Sequence, residues 1–207
     1  MITGPSLRAR RLAAALVVGA ATAVSAADWG LETLMQSLAQ VKSSKARFVE
    51  RKDMEFLSSP LESSGTLIYT APGRLEKHTL KPRQESLVLD GNRLTLESKA
   101  RGQHRTFELG EQPMIGAFVE SIRSTLAGDL ATLKRHYEVS LRGSENDWHL
   151  LLRPSAPDMR RYVSEIRISG SRQRIRTIEI TEIQGDRSVM TIVPETSKSK
   201  AHSDERG

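Results

Sequence analysis

The chain has 207 residues, 27% charged and 38% hydrophobic, with no low-complexity tract, which excludes a wholly disordered chain, a collagen-like chain and a polytopic membrane protein. Cysteine is absent, which removes disulfides, a thiol nucleophile, Cys-based zinc and iron–sulfur sites, and the acylated cysteine of a bacterial lipoprotein. A formal charge of +6 raises a nucleic-acid reading, which the N-terminus largely answers.

Arg8, Arg10 and Arg11 precede 13 uncharged residues, 12–24, mostly Ala, Val and Leu, and the run ends in Val24-Ser25-Ala26. This pattern predicts a secretory signal peptide over 1–27, cleaved after Ala26 or Ala27. The run falls short of the ~20 apolar residues that a membrane anchor needs. Without the leader, 28 basic residues face 25 acidic ones, a charge of +3 over 180 residues. The basic residues are scattered, and nine aromatics in the whole chain form no stacking platform, so no nucleic-acid partner is expected.

Trp29 to Ser43 reads as an amphipathic helix, with Leu31, Leu34, Met35, Leu38 and Val41 spaced by three and four. From Lys45 the period becomes two, predicting a long strand to about Leu57, closed by the turn Ser58-Ser59-Pro60. Leu67 and Tyr69 alternate along the next strand up to the turn Ala71-Pro72-Gly73. Short strands follow at 75–80, 86–89, 93–98 and 105–109, with Asp90-Gly91-Asn92 as a hairpin signal. Met114, Ile115, Phe118, Val119, Ile122, Leu126, Leu130 and Leu133 then form a helical stripe behind Pro113, a residue suited to a helix start. Glu120, Ser121, Arg123 and Ser124 are expected on the opposite face, and Gly128-Asp129 should split the segment in two. Strands resume at 137–141, 148–152, 162–168, 175–183 and 188–193, joined by turns at 143–146, Gly170-Ser171 and Gly185-Asp186, and 196–207 is a polar tail. The expectation is a mainly β chain: about eleven antiparallel strands in an incomplete barrel, an N-terminal helix, and a helical insertion covering the barrel mouth. One domain, 28–195, follows the leader.

Catalytic and metal motifs are missing. None of His78, His104, His136, His149 and His202 stands three or four residues from another, and no HExxH, nucleophile elbow or phosphate loop occurs. Neither an enzyme nor a cofactor or metal is therefore expected. What repeats is an aliphatic strand face carrying Leu67, Tyr69, Leu75, Leu87, Leu89, Leu94 and Leu96. These residues either fill an ordinary core or line a cavity. Scarce large aromatics and a Met/Ile/Phe/Val helix that can act as an adaptable lid favour the cavity. Candidate ligand-binding residues are those seven with Met114, Ile115, Phe118 and Ile122.

The order of features resembles the periplasmic outer-membrane lipoprotein carrier family, LolA. A leader and a Leu-x-x-Leu helix precede Ala46-x-Phe48. Next comes Gly65-x-Leu67-x-Tyr69-x-x-Pro72-x-x-Leu75, then Asp90-Gly91 with Leu94 beyond it. Met54-x-Phe56-Leu57 and Pro60-Leu61-x-Ser63-x-Gly65 are similar to a LolA-like subgroup. The resemblance covers about residues 30–193. It implies an apolar cavity for lipoprotein acyl chains, an inner-membrane ABC transporter that loads it, and an outer-membrane receptor that unloads it. Typical carriers have a basic residue before the proline that helps to hold the lid closed. That position is Ala71 here, and Arg74 follows the proline. The expected function is a monomeric periplasmic carrier of lipoproteins or another acylated or polyene lipid. A periplasmic interaction or sensor domain on the same fold, or an acyl-processing enzyme, are the alternatives.

Overall fold

Alternating apolar residues and short turn-rich connections produce eleven strands among the described residues, all paired antiparallel. The computed structural model describes residues 29–111 and 113–195, so the expected leader and polar tail lie outside the described residues. The strands are β1 (Ser43–Asp53), β2 (Leu61–Thr70), β3 (Arg74–Lys81), β4 (Glu85–Asp90), β5 (Arg93–Ser98), β6 (Gln103–Glu108), β7 (Tyr137–Ser144), β8 (Asp147–Pro154), β9 (Val163–Ser171), β10 (Arg174–Glu182) and β11 (Arg187–Pro194). They form one sheet in the order β6-β5-β4-β3-β2-β1-β11-β10-β9-β8-β7. Its ends, β6 and β7, do not pair, so the barrel is incomplete as expected.

The helices are α1 (Leu31–Leu38), α2 (Pro113–Ala127), α3 (Leu130–His136) and the single turn α4 (Pro157–Arg160). Helix α1 is shorter than its periodicity suggested, and Val41 lies beyond its end. Gly128, at φ +68°, and Asp129 separate α2 from α3 as expected. The Asp129 carboxylate accepts the Thr132 N–H at 3.0 Å and caps α3. A Cβ on Gly128 would stand 2.1 Å from the Met35 carbonyl oxygen, so only glycine lets this joint press against α1. Between β9 and β10 the turn falls at Arg172-Gln173, two residues later than the sequence signal.

One face of the sheet curls around the helices. On the β7–β11 side, Leu150, Leu152, Ile166, Ile168 and Trp148 pack with Leu34, Met35 and Leu38 of α1 and with Phe48 into the main core. The Trp148 indole N–H donates to the Arg172 carbonyl at 2.9 Å, which satisfies its one polar atom. On the β3–β6 side the same face carries a smaller apolar cluster: Leu89, Leu94, Leu109 and Val119. Phe118 of α2 touches both clusters, so α2 bridges the two ends of the open sheet.

Candidate functional site: a graded inner face under helix α2

Strand register places the inner-face residues of β2–β6 in three parallel rows. The row nearest α2 runs Tyr69, Leu75, Leu89, Leu94, Phe107 and is almost wholly apolar. The middle row runs Leu67, Lys77, Leu87, Leu96, Arg105, with leucines flanked by two cations. The third runs Gly65, Thr79, Glu85, Ser98, Gln103 and is polar. The aliphatic face expected along these strands is therefore apolar only at the α2 end.

The seven strand residues named from sequence do share this face, but they divide. Leu75, Leu87, Leu89, Leu94 and Leu96 gather in the smaller cluster with Ile115 and Phe118. Leu67 and Ile122 pack on the main core instead. Tyr69 is buried, and its hydroxyl has no hydrogen-bond partner among the described residues. Burial alone raises its pKa. The Met114 side chain lies outside what the structure describes. Leu89 and Leu94 are 0% exposed, because Val119 and Leu109 sit directly on them. Helix α2 thus closes this end. Beside it, between Leu87, Leu96, Lys77 and Arg105, a recess of about 320 Å³ remains open.

The polar face expected on α2 is only partly solvated, with Glu120 and Arg123 half-buried. Ser121, Ser124 and Thr125 are buried, because α1, α3 and α4 pack around the helix as the sheet does. Their hydroxyls are satisfied locally: Ser121 donates to the Phe118 carbonyl at 2.7 Å, Thr125 to the Ser121 carbonyl at 2.7 Å and Ser124 to the Glu120 carboxylate at 3.0 Å. Ser121 also contacts the Tyr137 hydroxyl, whose pKa burial pushes up to about 12.

Two side chains have roles here that the sequence does not indicate. Arg123 of α2 donates to the Gly91 carbonyl in the β4–β5 turn at 2.6 Å and pairs with Glu120 on its own helix. Its stem lies over Gly73, where a Cβ would stand 2.8 Å from Arg123 Cδ. Helix α2 is thereby fastened to the sheet by its own arginine, although the position before Pro72 is Ala71. Arg74 pairs instead with Glu76 at 2.9 Å and Asp90 at 2.5 Å. The second is Glu50, on the inner face of β1. It accepts from Lys77 at 2.5 Å, Ser188 at 2.9 Å and Ser63 at 3.2 Å, and Lys77 also stands 5.1 Å from the centre of the Phe48 ring. Burial pushes the Glu50 carboxyl up, but Lys77 and the two hydroxyls outweigh it and hold it below the usual carboxylate range. The Pro60–Gly65 motif serves this spot: Ser63 supplies a donor, and a Cβ on Gly65 would collide with the His78 carbonyl oxygen at 1.9 Å.

The resemblance implied an incomplete barrel of about eleven strands with a helical lid over an apolar cavity; the open eleven-stranded sheet agrees with this, and the helix sits directly on the apolar patch. The sequence also matches the family model described as outer membrane lipoprotein carrier protein LolA-like, over residues 19–205. The chain belongs to this LolA-like family. Solved structures of similar fold include a LolA superfamily protein from Nitrosomonas europaea (9% identity, 81% of this chain and 94% of that one, TM-score 0.40). Another is a putative outer membrane lipoprotein-sorting protein domain from Vibrio parahaemolyticus (11% identity, 83% and 94%, TM-score 0.47). A third is the MucA/MucB complex of Pseudomonas aeruginosa (10% identity, 86% of this chain and 61% of that one, TM-score 0.43). No curated protein matches the chain. Among the described residues no helix is long and apolar enough to cross a membrane, and no three His, Asp or Glu side chains gather as metal ligands.

Proposed function

We propose that this protein is a periplasmic carrier that takes the acyl chains of a lipoprotein, or of a related lipid, against the inner face of β3–β6 beneath α2, and moves them from the inner to the outer membrane. The observation that carries the reading is the second apolar cluster. It is separate from the main core, half of it belongs to the sheet and half to α2 and the turn before it, and an open recess adjoins it. Family membership supports the same reading.

Magnitudes favour exchange of lid for lipid. Lifting α2 uncovers Leu89, Leu94 and Val119, each worth about 2 kcal/mol of burial. At ~0.8 kcal/mol per methylene, about eight methylenes restore that loss. An acyl chain of ordinary length therefore competes with the helix for the same leucines. A bilayer offers the lipid the same gain, so extraction is close to neutral and loading requires work from a partner, such as an inner-membrane ABC transporter. Unloading requires a tighter-binding acceptor, the role of an outer-membrane receptor.

Native mass spectrometry of protein purified from the periplasm without detergent tests the reading. The expected result is a mature chain starting at Ala27 or Asp28 with an adduct of lipid mass that organic extraction removes. A bare chain, or one retaining residues 1–27 in the cytoplasm, would refute it.

A further inference from the structure

The inner face is graded and not uniformly apolar, which constrains the ligand beyond the lipid-binding reading on which this inference rests. Tails belong in the row of Leu75, Leu89 and Leu94. Whatever leaves that row toward the open recess next meets Leu87 and Leu96, and then polar side chains.

The charges bordering the recess are not equally available. Lys77 is occupied by Glu50 at 2.5 Å. Glu85 also lines the recess and has only the neutral Ser98 hydroxyl as a partner among the described residues, at 3.3 Å, so its negative charge is retained. Glu97 accepts from Ser86 at 3.4 Å and pairs with His104 at 2.9 Å. Arg105 stands directly opposite Leu96 across the β5–β6 ladder, and Arg101 lies in the turn that joins those strands. Neither arginine has an ion pair or side-chain hydrogen bond among the described residues. The recess thus combines two leucines, Leu87 and Leu96, with two guanidinium groups that have no protein partner among the described residues, set against Glu85 and the His104-paired Glu97, and guanidinium is a donor suited to carboxylate or phosphate oxygens.

From this we infer that the ligand is an amphiphile with an anionic headgroup, held with its tail under α2 and its head at Arg101 and Arg105, on the side of the inner face away from α2. Carboxylate and phosphate heads share the required chemistry. The site selects for negative charge and for a head that stays at the protein surface.

Displacement of a neutral fluorescent probe, N-phenyl-1-naphthylamine, tests this on delipidated mature protein. Three competitors share one oleoyl chain: oleate, oleoyl-lysophosphatidate and the neutral monoolein. At low salt at least one of the anionic lipids should compete about fivefold better than monoolein, an advantage that shrinks in high salt because the arginines are exposed. Whichever anionic lipid competes better identifies the headgroup. The double variant R101Q/R105Q should lose the preference while keeping its affinity for probe and monoolein. The charge-matched control R142Q/R161Q, at two arginines that do not line the recess, should retain it. Equal competition by all three lipids on the wild type, or equal loss of preference in both double variants, overturns the inference while leaving the lipid-binding site in place. Failure of the protein to bind probe or any of the lipids overturns both.

Discussion

Glu50 is the residue with most to say about the inner face of the sheet. A carboxylate here is held by one ammonium group and two hydroxyls, on a face whose other half is a leucine patch. Because its folded pKa lies below its ordinary value, its contribution to stability is present above the ordinary carboxylate pKa and is lost as pH falls through the depressed value. Glu50→Gln should therefore cost about 2 kcal/mol at pH 7, the scale of hydrogen bonds to a charged group. The deficit should narrow as pH is lowered below the ordinary carboxylate range. Thermal melts of wild type and variant from pH 7 to pH 3 check this, and a deficit that does not change with pH would mean that packing and not charge is involved. Sequence alone did not expose this cluster. Glu50, Ser63, Lys77 and Ser188 are spread over four strands, and only their register brings them together.

At the scale of elements, α2 decides whether the apolar patch is a core or a site. Its apolar stripe and its break at Gly128-Asp129 were legible because a 3.6-residue period and a glycine at positive φ leave local marks. Its burial on the Ser/Thr side was not legible, because that depends on α1, α3 and α4 arriving from elsewhere in the chain. The fastening by Arg123 was not legible for the same reason: nothing near position 123 indicates the Gly91 carbonyl, a long-range partner. Arg123→Ala removes a charge-assisted bond between helix and sheet but no apolar contact of Leu89 or Leu94. It should lower stability by about 1 kcal/mol and speed hydrogen exchange in 113–127 while leaving β7–β11 unchanged. Phe118→Ala acts differently, since that ring packs on both clusters. Because the ring is only partly buried, it should lower stability by less than the ~3 kcal/mol of a fully buried phenylalanine and loosen the helix from both ends of the sheet. If Arg123→Ala accelerated exchange across the whole molecule, α2 would be part of one cooperative core and not a separable lid.

For the molecule as a whole, the arrangement follows from leaving the sheet open between β6 and β7. The β7–β11 side fills its inner face with Trp148, isoleucines and leucines and has no need of a ligand. The β3–β6 side has leucines and Phe107 in its apolar row, and Leu109 and Val119 from the helical insertion complete it. The strand count, the turn at Asp90–Arg93 and the sharing of one face by the leucines could all be read from alternation. The grading of that face could not, because Lys77 and Arg105 become neighbours of Leu87 and Leu96 only through pairing. The central claim is that lipid tails lie between α2 and the leucines of β3–β5. Photocrosslinking with a fatty acid bearing a diazirine at its terminal carbon, followed by peptide mapping, tests it most directly. The expected result is labelling of α2 and of the strand segments containing Leu75, Leu89 and Leu94, competed away by excess unlabelled lipid. Labelling confined to the outer face of the sheet or to β7–β11, or labelling that excess lipid does not reduce, would contradict it.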